Sequence, residues 1–112
     1  MASDRMDSRL SDMTTAWHPS VLRAISLAAQ SAAKIGKPVG VCGEAAAHSY
    51  LAAVLVGLGV SSLSMAPSAL AEVRGFLSTV TLEECKTAAA EALDSRSATD
   101  AESAARKILE KN

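Results

Sequence analysis

Apolar positions recur at two different spacings along the chain, and the spacing predicts the elements. From Pro19 to Ile35, the residues Val21, Leu22, Ile25, Ala28, Ala29, Ala32 and Ile35 form one stripe at helical spacing. Pro19 suits the first helical position, where a missing N–H costs nothing, and Gly36 suits the left-handed stop. Pro38–Cys42 then reads as a short strand. A helix starting near Ala47–Ser49 runs to Leu58, with Leu51, Val54, Leu55 and Leu58 as its buried side and Gly59 as its stop. Val60 to Met65 alternates Ser62 and Ser64 against Leu63 and Met65, the period of a second strand.

The remainder is helical. Pro67 opens a helix carrying Leu70, Val73, Phe76 and Leu77. Thr81-Leu82-Glu83-Glu84 has the form of a capping box and starts a helix with Leu82, Cys85, Ala89 and Leu93. Thr99-Asp100-Ala101-Glu102 reads as another, before Ala105, Ile108 and Leu109, with the polar linker Asp94 to Ala98 between the two helices. At the other end, Met6, Leu10 and Met13 share one face of a short helix over residues 4–13, and Thr14 to His18 reads as a loop. Two strands joined by one helix make a β-α-β unit. Two parallel strands are a poor sheet alone, so the pattern implies further strands from a larger barrel or another copy.

Composition narrows the possibilities. The 112 residues suffice for a single domain, and the 49% apolar content is alanine-rich with few aromatics (Trp17, Tyr50, Phe76). That favours closely packed helices over a thick β-sandwich. A net charge of −1 with no basic stripe argues against nucleic acid. Cys42 and Cys85 match no zinc spacing, and free thiols imply a cytoplasmic chain. Met1 to Asp12 is charged and lacks the apolar core of a signal peptide. The apolar run Ala45 to Leu58 is broken by His48, Ser49 and Tyr50 and is too short to cross a bilayer, so no membrane partner is expected.

The candidate chemistry lies in Lys37-Pro38-Val39-Gly40-Val41-Cys42-Gly43-Glu44. In α/β folds, side chains at the carboxyl ends of strands face an open crevice. A thiol there is placed to act, whereas Cys85, on an apolar helix face, belongs to the core. Glu44 either orients the turn or touches the site. His48 reads as a capping or exposed residue, and His18 as a helix-entry residue.

Several separated motifs, in order, resemble one family. Val41-Cys42-Gly43-Glu44, Leu55-Val56-Gly57-Leu58-Gly59-Val60 and Leu63-Ser64-Met65 resemble the end of the phosphoenolpyruvate-binding barrel of the phosphoenolpyruvate–protein phosphotransferases of bacterial sugar uptake. His18-Pro19-Ser20-Val21-Leu22-Arg23, Gly36-Lys37-Pro38 and Asp4-Arg5 are similar to segments upstream of it. The likeness runs from about Ser3 to Leu109, with Ala47-His48 standing where the family has a Gly-Asp pair.

The resemblance implies an α/β fold: a single partial domain over residues 1–112, the C-terminal fragment of a (β/α)8 TIM barrel with about its last two strands and the C-terminal helices. It implies that Cys42 is the acid–base residue that protonates the enolate of pyruvate, and that Arg5 holds anionic groups of the substrate. It further implies magnesium whose ligands lie on strands absent from this chain, a histidine-containing phosphocarrier protein reached through an absent N-terminal domain, and a homodimer. The isolated chain is then catalytically incomplete. The competing readings are a non-catalytic dimerisation or interaction module derived from the barrel, and a small helical scaffold. Elementary chemistry is compatible with the first reading. A thiol of pKa about 8.5 carries its proton near neutrality, a carboxylate at Glu44 would favour that form, and arginine's planar fork bonds two anionic oxygens at once.

Overall fold

The computed structural model describes residues 16–42 and 46–110. The expected helix over residues 4–13 lies outside them. Ala16 and Trp17, expected in a loop, are helical and buried, and Trp17 is among the largest fully buried side chains. An indole of that size gains more from joining the core than a loop could offer.

Helix α1 (Pro19–Lys34) starts as its sequence predicts. His18 is the N-cap, and its Nδ1 accepts the Ser20 N–H at 3.1 Å. Leu22, Ile25 and Ala29 are buried. Ile35, expected on the same stripe, is instead the C-cap and 69% exposed. The cause is the turn that follows. The N–H of Lys37 reaches the Ala32 carbonyl at 2.8 Å and that of Gly36 reaches Ala33 at 3.1 Å, with Gly36 at φ 71°. This is a Schellman stop, which swings Ile35 away from the core. Helix α2 (Ser49–Gly57) ends in the same way: Val60 bonds to Leu55 at 3.1 Å and Gly59 to Val56 at 3.0 Å, with Gly59 at φ 107°. Each stop feeds a strand.

The strands are β1 (Gly40–Cys42) and β2 (Ser62–Ser64), paired in parallel with Gly40 opposite Ser62, Val41 opposite Leu63 and Cys42 opposite Ser64. Both are shorter than the sequence suggests. Pro38 has no N–H to give a ladder. Val39 is held in part by a side chain: its N–H donates to Ser61 Oγ at 3.1 Å, and its carbonyl accepts from Ser61 Oγ at 3.1 Å and from the Ser61 N–H at 2.9 Å.

Helix α3 (Pro67–Leu77) buries only Val73, while Leu70 is 37% exposed. Helix α4 (Leu82–Leu93) has the expected capping box, with Glu84 N–H on Thr81 Oγ1 at 3.0 Å and Thr81 N–H on Glu84 Oε1 at 2.8 Å. It buries Cys85, Ala88, Ala89 and Ala92. Leu82, expected on that face, is the first helical residue and is 55% exposed. Helix α5 (Ala98–Leu109) begins before the box expected at Thr99. Ser97 is the N-cap, accepting the Asp100 N–H at 3.1 Å, so Asp100 falls in the first turn, where the helix dipole favours its charge.

Helix α2 is the centre of the molecule. Leu51, Ala52, Ala53, Val54 and Leu55 are all buried, so it has no solvent side where the sequence predicted one. It packs most closely on α4, and also meets α3 and α5. Alanines permit the approach, and at Gly57 an added Cβ would overlap the Cys85 carbonyl. Arg23 ties α1 to the end of α4 through the Leu93 carbonyl at 3.2 Å. The result is a helix-rich α/β unit measuring 43 × 32 × 26 Å.

Candidate functional site

In-register residues of neighbouring parallel strands share a face, and successive residues alternate between faces. Val41 and Leu63 therefore point one way, into the helix core, where Val41 is 1% exposed. Gly40, Cys42, Ser62 and Ser64 point the other way. None of these four is buried, and both serines are exposed. Each strand has one pairing partner among the described residues.

Cys42 is the last residue of β1, on this second face, with a free, half-buried thiol. It is opposite Ser64 in register. The placement expected from the sequence, at the carboxyl end of a strand, is present. Arg5 and Glu44 lie outside the described residues. Cys85 is the contrasting thiol. It is 3% exposed in the core, and burial, followed by the nearby Glu84 carboxylate, raises its pKa.

His48 occupies the N-cap of α2 with extended backbone, but its side chain makes no capping bond. Its Nδ1 is buried with no hydrogen-bond partner. The capping role considered for it is therefore not filled.

Two features escaped the sequence reading. Ser64 faces the same side as Cys42, and the alternation in Val60–Met65 was the available signal. Tyr50, the second residue of α2, is a junction. Its hydroxyl donates to Glu110 Oε2 at 3.2 Å, and its ring meets Phe76 at 5.1 Å and 66°. The Arg106 guanidinium lies 4.7 Å from the ring centroid. Burial, then the Glu110 bond, raises the Tyr50 pKa. No sequence pattern joins positions so far apart.

Among the described residues, no group of three His, Cys, Asp or Glu side chains could hold a metal ion. The magnesium implied by the resemblance finds no ligand set in them. A polar groove of about 530 Å³ lies between α4 and α5, lined by residues including Glu91, Asp94, Arg96, Asp100 and Lys107, and does not include Cys42. No helix among the described residues is long and apolar enough to cross a membrane.

A parallel β-α-β unit with a thiol at a strand's carboxyl end is of the α/β class whose sites open at that end. Comparison with known proteins makes the class specific. The family model described as "PEP-utilising enzyme, PEP-binding domain" matches residues 1–82, and the chain belongs to that family. It is 45% identical over 108 residues to the phosphoenolpyruvate-protein phosphotransferase of Streptomyces coelicolor, covering 96% of this chain and 19% of that protein. It is 36% identical over 100 residues to a Salmonella typhimurium protein named phosphoenolpyruvate-dependent phosphotransferase system, covering 89% of this chain and 13% of that protein. Over 86 residues it is 36% identical to the Bacillus subtilis phosphoenolpyruvate-protein phosphotransferase, covering 77% of this chain and 15% of the relative. The chain thus spans less than a fifth of the length of these relatives. The family expected from the motifs is the one found.

Proposed function

We propose that this chain is the C-terminal segment of the phosphoenolpyruvate-binding TIM barrel of a phosphoenolpyruvate-dependent protein phosphotransferase. In this reading β1 and β2 are barrel strands, and Gly40, Cys42, Ser62 and Ser64 face the barrel interior. The observation that carries it is the position of Cys42. In a chain of this family, the thiol ends a strand on the sheet face that has no buried side chain.

The thiol's proposed task is proton transfer. Once the phosphoryl group has left phosphoenolpyruvate for a protein histidine, the enolate of pyruvate carries excess electron density at C3. Cys42 gives its proton to that carbon: the S–H bond breaks, a C–H bond forms and pyruvate results. The thiolate then regains a proton from water. Run backwards, the thiolate removes the C3 proton. A thiol is one of the side chains able to act as general acid in one direction and general base in the other. Arg5 pairs with the carboxylate or phosphate through its fork. Magnesium, supplied by other segments, would offset phosphate charge. The histidine-containing phosphocarrier protein is met by another domain, and the open strand edges join the rest of the barrel in a cytoplasmic homodimer.

The test is a graft of this chain onto the remaining segments of the Streptomyces coelicolor relative. Pyruvate formation from phosphoenolpyruvate is expected, and Cys42→Ala should lower it by about 10²-fold or more, the scale of general acid catalysis. Arg5→Ala should raise KM. Turnover retained in the Cys42→Ala graft would contradict the assignment.

A further inference from the structure

On the open face of the sheet, a β2 side chain leans over β1. A Cβ placed on Gly40 would stand 2.6 Å from Ser62 Oγ, although the Gly40 backbone is not in the left-handed region. Space, not backbone conformation, is what a side chain there would lack, and the hydroxyl of the register partner takes that space. Two residues further along the same face, Ser64 is paired with Cys42, on strands about 4.8 Å apart. The serines of this segment also divide by use. Ser61 commits its hydroxyl to Val39, accepting from the N–H and donating to the carbonyl, both at 3.1 Å. Ser64 is exposed, and its hydroxyl makes no hydrogen bond to a described residue.

We propose that Ser64 is a substrate-binding residue of the phosphoryl-transfer reaction, its hydroxyl donating a hydrogen bond to the oxygen on C2 of the three-carbon unit while Cys42 faces C3. The proposal rests on the reading that this sheet face looks onto phosphoenolpyruvate. When the bond from phosphorus to that oxygen breaks, the electron pair stays on the oxygen and the phosphoryl group goes to the protein histidine. Negative charge therefore grows on the C2 oxygen during the step. A donor fixed there is bonded more strongly in the transition state than before it. Ser64 keeps its proton throughout, and the proton added to C3 comes from the thiol. The oxygen and C3 are both attached to C2, so their partners must stand side by side. In-register residues on adjacent strands meet that requirement, whereas successive residues of one strand point to opposite faces. Ser62 does not meet it, because its hydroxyl lies over Gly40 rather than beside the thiol.

The graft described above tests this through kcat and KM for phosphoenolpyruvate. Ser64→Ala should lower kcat by about tenfold or more, the scale of a hydrogen bond to a charged group, with KM little changed. Ser64→Thr, which keeps a hydroxyl, should recover most of the rate. An unchanged kcat in Ser64→Ala, a loss that Ser64→Thr does not recover, or a change in KM alone would overturn the proposal. The role of the thiol fails separately, because kcat of Ser64→Ala reports on the C2 oxygen whichever group protonates C3. Turnover retained in Cys42→Ala but lost in Ser64→Ala removes the thiol's role and leaves that of Ser64. The reverse pattern removes the role of Ser64 alone.

Discussion

The two faces of the small sheet differ in what they bury. On one, Val41 and Leu63 meet the helices, and the neighbouring packing around α2 leaves no room for a methyl group at Gly57. On the other, glycine, cysteine and two serines present no bulk, and none of them is fully buried. Burying apolar area is what stabilises a fold of this size, and the first face supplies that burial. A face of small polar side chains supplies little, and in the proposed reading it is left open for a ligand and the rest of a barrel. In that reading, stability and chemistry are divided by one residue's alternation along a strand of three.

Substitutions can break this division. The largest effect is expected at Gly57→Ala. The new Cβ meets the Cys85 carbonyl, which is backbone and cannot swing away, so α2 and α4 must separate. A loss of about 4 kcal/mol, or failure to fold, should appear in urea denaturation, toward the upper end for overpacking. Leu51→Ala, at 0% exposure, should cost about 3 kcal/mol by the same measurement. His48→Asp should act in the opposite direction. It gives α2 the capping oxygen it lacks, and a gain of about 1 kcal/mol is expected. On the open face, Cys42→Ala and Ser64→Ala should stay within about 0.5 kcal/mol of the parent, as for substitutions that leave no cavity. A large loss at either would mean that this face is packed.

The smallest effect concerns pH. Burial raises the Cys85 pKa, so the unfolded chain releases this proton first as pH rises. The stability linked to the protonated thiol is complete below the ordinary thiol value. It is lost progressively as pH climbs through the raised one. Denaturation midpoints measured from about pH 8 to about pH 10 should fall in the parent and fall less in Cys85→Ala.

Much of the fold was legible because it is encoded locally. Gly36 and Gly59 mark two stops of the same kind, and Thr81 with Glu84 closes the capping box its spacing predicts. Legibility ended where tertiary structure decides. The start of α5 depends on which of Ser97 and Thr99 takes the cap, and both fit the pattern. Leu82 and Ile35 are apolar at helix ends, where periodicity places them on a face but the turn geometry turns them out. The burial of five consecutive residues of α2, Leu51 to Leu55, could not be read from one helix, because it depends on three others packing around it. For the site, the end of a strand located Cys42. Ser64 became its neighbour only through the strand register, and Tyr50 became a junction only through partners on α3 and α5.

The central claim, that Cys42 moves a proton at the third carbon of pyruvate, is tested most directly by exchange of the pyruvate methyl hydrogens. The grafted enzyme, in its phosphorylated form, is incubated with pyruvate in deuterium oxide and the methyl signal is followed by NMR. The signal should decay with Cys42 present and persist in Cys42→Ala; equal decay in the two proteins would contradict proton transfer by this thiol.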